Sequence, residues 1–333
     1  MNKTITYAII IIVSCGVSYH IDKWHRIAET TNTLNSISGS SSGVTSDFGS
    51  EPLITYRFIK PLNKPESQKE FASFNQLKIK LTRYIESLKK SHKIVSASVY
   101  LNCLGNGSYM NLNPEEKYTP GSMFKVVNLI YYLKMSEQNP GLLENLIYNS
   151  IPSKTVEPQT YNSKQIEENK VYSIKELLKY MIAYSDNKAT YLLKKNIDYE
   201  VYLKMVNDLK IPMPQTEKDF MFMTASQYSD IFKIIYNSSY LSCDNSEFAL
   251  SLLNQCDFKI GLLNGLPDSV NVVHKFGEAE VSGQHQLHEC GLVYMNHSPY
   301  LITIMTNGYN IRDLPPVLST ISKMVYDDIS QME

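Results

Sequence analysis

The chain is predicted to be an α+β protein, an antiparallel sheet flanked by N- and C-terminal helices with an all-α subdomain inserted between its strands. Three patterns carry that prediction. A helical period followed by a strand and a hairpin fills residues 74–112, the stretch from 122 to about 260 is mostly helical, and three strand-like runs after Pro267 precede a last helix. Strands from both ends of the chain can then share one sheet around the insert. With 333 residues of which 43% are apolar, the chain can bury a sizeable core. Its 32 Lys and Arg against 33 Asp and Glu leave a net charge of -1, so no basic field marks nucleic acid as a partner.

In chain order, residues 1–29 read as a membrane anchor or signal segment. Thr4 to Tyr19 carries no charge, with Ile9 to Val13 at its centre. Its 16 residues fall short of the roughly 17–25 of a spanning helix and suit the apolar part of an export signal. Membrane contact is therefore expected through residues 4–19, as an uncleaved single-pass anchor that holds the folded part outside the cytoplasm. A cleaved signal is one alternative. Ile12-Val13-Ser14-Cys15-Gly16 is similar to the lipid-attachment box of bacterial lipoproteins, so a lipid on Cys15 is the other. Residues 30–57, rich in Ser, Thr, Gly and Asn without apolar period, read as a flexible linker.

The folded unit is placed at 58–333. Phe74, Leu77, Leu81, Tyr84, Ile85 and Leu88 repeat with helical spacing, Val95 to Leu101 reads as a strand, and Asn106-Gly107 turns the chain into Tyr109 to Leu112. Within the insert, Ser173 and Glu176 form a capping box ahead of Leu177, Leu178, Met181 and Ile182. Further helices are expected at Lys188 to Lys195, Glu200 to Leu209 and Ala225 to Tyr236. Strands follow at Val270 to Phe276, Gln286 to Met295 and Tyr300 to Thr306. The last helix starts near Pro315-Pro316, with Asp313 as its cap and Val317, Leu318, Ile321, Met324 and Val325 inward.

The stretch with chemistry in it is Thr119 to Leu133. Thr119-Pro120-Gly121 breaks the chain and delivers Ser122 to a helix entrance, with Val126, Leu129, Ile130 and Leu133 on one apolar face. Lys125 then lies one turn above Ser122. A serine hydroxyl attacks a carbonyl only when a neighbour takes its proton, and a lysine does so when burial lowers its pKa. Ser87/Lys90 and Ser185/Lys188 share the spacing, so the pair alone is equally a capping serine and a solvated lysine.

Order decides between those readings. Ser122-Met123-Phe124-Lys125, Ser185-Asp186-Asn187 and Lys275-Phe276-Gly277 follow one another along the chain. This set resembles the S-x-x-K, S-D-N and K-T-G motifs of class A β-lactamases and penicillin-binding proteins. The resemblance spans about residues 68–328 and extends to the element order. It implies a β-lactamase/transpeptidase-like fold and acyl transfer without a cofactor or metal. By motif, it makes Ser122 the acylated nucleophile, Lys125 its proton acceptor and Ser185 the relay to the departing nitrogen. Asn187 would hold the substrate's amide side chain, and Lys275 would attract its carboxylate. The oxyanion hole would combine the backbone N–H groups of Ser122 and Glu278, with Gly277 between Phe276 and Glu278 in the bordering strand.

Two departures bear on activity. Phe276 stands where the motif has a hydroxyl residue and cannot hydrogen-bond, and strand alternation puts it on the face opposite Lys275 and Gly277. Carboxylate recognition would then rest on His274 or Lys275. No E-x-x-L-N follows Asn187, so the water-activating glutamate of class A enzymes is missing; Glu217 and Asp219 lie in the corresponding connection but read as solvated loop charges. His285 and His288, three apart in a strand, face opposite sides, and no two of the five cysteines form C-x-x-C, so no metal site is expected. The resulting expectation is an exported serine hydrolase acting on β-lactams or related peptidoglycan peptides through acyl-Ser122. Its alternatives are a slow-turnover penicillin-binding peptidase or sensor, and a non-enzymatic wall-binding domain.

Overall fold

The computed structural model describes residues 56–61, 69–70, 72–152, 155–156, 159–161, 163–214, 221–296 and 298–332. The expected membrane segment 4–19, Cys15, residues 30–55 of the linker, and Glu217 and Asp219 lie outside them. Among the described residues no helix is long and apolar enough to cross a membrane.

A two-residue strand β1 (Lys69–Glu70) precedes α1 (Asn75–Lys90), whose buried Leu77, Leu81, Ile85 and Leu88 follow the helical period. β2 (Ile94–Cys103) and β3 (Ser108–Leu112) form the hairpin. Its turn holds Gly107 at φ 70° while the Asn106 side chain accepts the Ser108 N–H at 2.9 Å. After a 3-10 turn at Gly121–Phe124, α2 (Lys125–Gln138) runs through the insert. The period of Val126, Leu129, Ile130 and Leu133 implies one buried face, yet Val127, Tyr131 and Tyr132 are buried as well. This helix is enclosed on nearly all sides, so no polar stripe marks it.

A small hairpin of β4 (Leu146–Tyr148) and β5 (Val171–Ser173) leads into α3 (Ile174–Ala183), which carries the Ser173/Glu176 capping box. Then come α4 (Asn187–Lys195), α5 (Tyr199–Asp208), α6 (Ala225–Tyr236) and α7 (Cys243–Leu253). Neither the β4/β5 hairpin nor α7 is legible beforehand. Three-residue strands show no alternation, and α7 opens on the poor helix formers Cys243, Asp244 and Asn245, held by the Ser242 cap. β6 (Asn271–Val281), β7 (Gln284–Tyr294) and β8 (Tyr300–Gly308) return to the sheet, and α8 (Leu314–Ser330) closes the chain. Asp313 sits at the N-cap of α8 but makes no capping bond; the helix starts on its prolines, whose missing N–H groups need no partner there.

The six-stranded sheet has the order β1-β3-β2-β8-β7-β6, antiparallel throughout except for the short β1–β3 pairing. β2 from one end of the chain pairs with β8 from the other, Val99 opposite Ile304. One sheet face packs on α1 and α8 through Leu81, Ile85, Leu318 and Ile321, and the other packs on the helical insert through Phe232, Val273 and Leu301. β6 is the edge strand opposite β1, and it runs five residues past Phe276 before turning at Ser282-Gly283.

Candidate active site

The turn carrying Ser122 is pinned from three sides. Tyr118 exchanges backbone hydrogen bonds with Met223 at 2.9 Å each way, and the Tyr228 hydroxyl donates to the Met123 carbonyl at 2.8 Å. From β7, Gln286 accepts the Thr119 N–H at 2.9 Å. The Thr306 N–H donates to Nδ1 of His288, so the proton of this buried imidazole sits on Nε2 and is shared with the Thr119 carbonyl at 3.1 Å. Burial depresses the His288 pKa to about 3, which keeps the ring neutral and this brace intact at ordinary pH. Gly121 at φ 55° makes the final bend, and a Cβ there would meet the Glu278 carbonyl at 2.3 Å.

Lys125, Ser185, Asn187 and Lys275 converge beside that turn. The Lys125 ammonium donates to the Ser185 carbonyl, to Ser185 Oγ at 3.2 Å and to Asn187 Oδ1 at 2.8 Å. Lys275 Nζ donates to the same Ser185 Oγ at 3.0 Å. Two ammonium groups therefore fill the acceptor sites of one hydroxyl, and its single proton is left to point elsewhere. Ser185 is fully buried and held at φ 55°, a left-handed backbone that serine rarely adopts. Asp186 fixes that turn: its carboxylate accepts the N–H groups of Lys188 and Ile166 at 2.8 Å each. Burial raises the Asp186 pKa, and these two bonds oppose the rise.

Burial likewise drives the Lys275 pKa down to about 8, against the pull of Cys256, Asp257, Glu289 and Glu278. Gly277 is a spacer between β6 and the Ser122 turn. A Cβ on it would approach the Pro120 carbonyl at 2.4 Å and the Met123 nitrogen at 2.6 Å. Phe276 lies in the core under α1 and α8, as alternation predicts, but Lys275 reaches back over it. Its Nζ bonds the Phe276 carbonyl at 3.0 Å and stands 4.2 Å from the ring centre. Behind the strand, His274 Nδ1 pairs with Glu289 at 2.6 Å, both fully buried.

Two contacts have no counterpart in the motifs. Gln159 donates from Nε2 to Ser122 Oγ at 2.8 Å, and the Thr160 N–H donates to Glu278 Oε1 at 2.7 Å. No spacing rule flags either residue, because a loop amide signals nothing until the fold lays it over the cleft. None of Cys103, Cys243, Cys256 and Cys290 forms a disulfide.

The arrangement suits transfer of an acyl group to a hydroxyl, with proton carriers on the leaving side and backbone N–H groups at the β6 border. Relatives agree with that class. The profile of a family described as "Beta-lactamase enzyme family" matches residues 80–329, and the chain belongs to this family. No curated protein sequence matches it. Among solved structures, a representative class A beta-lactamase from Bacteroides cellulosilyticus is similar at TM-score 0.65 and 22% identity, over 76% of this chain and 98% of that one. A structure of PBP-A is similar at TM-score 0.63 and 17% identity, over 83% and 100%. A mutant of PBP-A, solved as its acyl-enzyme complex with penicillin G, is similar at TM-score 0.62 and 18% identity, over 76% and 97%. At these identities the likeness establishes the fold.

Proposed function

We propose that the protein is a serine acyl hydrolase that opens a strained or peptide amide through an acyl-Ser122 intermediate, with β-lactams or peptidoglycan peptides as its substrate type. One observation carries this reading. Lys125 and Lys275, 60 and 90 residues from Ser185 in sequence, both donate to its hydroxyl beside the Ser122 turn. In this reading Ser122 Oγ forms a bond to the carbonyl carbon while its proton passes to Lys125 in the amine form. The N–H groups of Ser122 and Glu278 hold the oxyanion. As the C–N bond breaks, the Ser185 proton moves to the leaving nitrogen and Ser185 is reprotonated from the lysines. Asn187, whose Oδ1 lies on Lys125, orients that lysine. Water then releases the acyl group and restores Ser122.

The absence of E-x-x-L-N in the sequence favours a second reading for the last step, in which acyl-Ser122 is long-lived and the protein serves as a slow peptidase or sensor. Export, with residues 4–19 tethering the folded part to the membrane, belongs to the same proposal and rests on their uncharged run. The test exposes the full-length chain and Ser122→Ala to a fluorophosphonate, a labelled penicillin and a chromogenic cephalosporin. Fluorophosphonate labelling that is lost in the variant supports the acyl-serine reading, and turnover against a lasting adduct separates the two forms of it. No labelling of Ser122 by any of the three refutes both.

A further inference from the structure

We propose that the end of the cleft bordered by β6 binds a leaving group that has no free carboxylate, and that Glu278 is the specificity-determining residue, accepting an N–H or ammonium of that group. This rests on the acyl-hydrolase reading and narrows its substrate class.

Four observations lead there. Lys275, the cation expected to attract a carboxylate, is fully buried; its ammonium donates to Ser185 Oγ and to the Phe276 carbonyl at 3.0 Å each and stands 4.2 Å from the Phe276 ring centre. Two of its three donors are thus committed within the protein, and burial shields the third from an incoming anion. Next, the position that would offer a hydroxyl holds Phe276, which is buried in the core and offers no donor. Phe276 stacks on Phe258 at 4.4 Å, and Tyr161 meets Phe258 edge-on at 5.3 Å.

The third observation is the charge balance. Asp257, Glu289 and Glu278 all act on Lys275. Glu289 is matched by His274, while Lys125 also acts on Glu278, and Lys259 and Lys164 on Asp257. An incoming carboxylate would be repelled by the Glu278 carboxylate, whereas an ammonium would be attracted to it. Finally, Glu278 is ready to accept a donor. The Thr160 N–H donates to its Oε1 at 2.7 Å and the Thr160 side chain and Tyr161 N–H also act on the carboxylate, while Oε2 is shielded from solvent and makes no geometric hydrogen bond among the described residues. Such an oxygen, at the residue whose N–H borders the oxyanion site, is placed to read the group next to the scissile nitrogen.

The test uses the full-length protein and the rate at which a fluorophosphonate labels Ser122. Three matched competitors protect it: an N-acyl-D-Ala-D-Ala peptide with a free carboxylate, its C-terminal carboxamide, and an analogue ending in a primary amine. The expected result is half-protection by the carboxamide and the amine at concentrations at least about tenfold below that of the carboxylate, the ratio one unfavourable charge contact produces. In Glu278→Gln, which keeps the shape and the backbone N–H, that preference should fall by about the same factor. Arg312 lines a surface cavity with Thr160 and Tyr161 and is the control for a carboxylate bound farther out. Equal or better protection by the carboxylate overturns the proposal, as does a preference unchanged in Glu278→Gln, carboxylate protection that vanishes in Arg312→Ala, or protection by none of the three. Labelling of Ser122 in those cases leaves the hydrolase reading standing. No labelling at all ends both.

Discussion

Replacing Gly277 by alanine tests whether the seam between β6 and the Ser122 turn sets the geometry of the proposed reaction. The new Cβ would sit 2.4 Å from the Pro120 carbonyl and 2.6 Å from the Met123 nitrogen, where ordinary contact begins at 3.4 Å. Both neighbours are backbone, and the turn is pinned by Gln286, His288 and Tyr228, so neither can swing aside. The seam must open by about 1 Å, an overpacking that costs about 1–3 kcal/mol. For a domain of this size that lowers Tm by about 2–4 °C per kcal/mol. Glu278, the next residue, moves with the strand, and a 1 Å error in an oxyanion donor slows acylation by about 100-fold. The assay is stopped-flow labelling of Ser122 by a fluorophosphonate, with thermal unfolding alongside. Gly283→Ala is the control: a Cβ there meets nothing within 4 Å, although φ 75° strains it. It should lose about 1 kcal/mol of stability and no labelling rate. Wild-type labelling and Tm in Gly277→Ala would refute the argument.

Three further outcomes are expected. Gln159→Ala removes the hydrogen bond on Ser122 Oγ, so labelling should accelerate by up to about tenfold, the worth of one such bond; a slower rate would make Gln159 an aid to the reaction. Ser185→Gly and Ser185→Ala should both lose the proton relay, but at φ 55° the alanine variant should be less stable than the glycine one by about 1 kcal/mol in urea unfolding. The pH profile of labelling should bend downward near pH 8 as Lys275 loses its proton and its charge on Ser185, and Lys275→Arg should move the bend upward. The same lysine is protonated to higher pH in the unfolded chain, so its contribution to stability grows as pH rises from about 8 to 10.5.

Much of the scaffold was legible because its signals are local. Helical period located α1 and α6, the Ser173/Glu176 box located the start of α3, and Asn106-Gly107 located the hairpin turn. Strand ends were less legible. The residue pattern ends the β6 run at Phe276, but pairing with β7 carries it to Val281, since Gly277, Glu278, Ala279 and Glu280 are ordered by cross-strand bonds and not by their own propensity. α7 was missed for the converse reason: its polar first turn is stabilised by a cap and by packing on α2 and α3.

The candidate site divides the same way. Taken alone, the sequence determined the residue types and their order: a serine and lysine one helical turn apart, a second serine before Asp186-Asn187, a lysine and glycine in a late strand, and an aromatic where a hydroxyl was expected. Tertiary structure alone decided that both lysines bond one hydroxyl, that Ser185 is left-handed beside an Asp186 bonded to Ile166, that Gln159 lies on Ser122, and that Glu278 meets the Thr160 N–H with its second carboxylate oxygen shielded from solvent. Spacing along the chain encodes contacts within a helix or a strand. Hydrogen bonds between residues 37 to 118 apart, such as Gln159 to Ser122 and Thr160 to Glu278, exist only once the sheet and the insert have closed on each other.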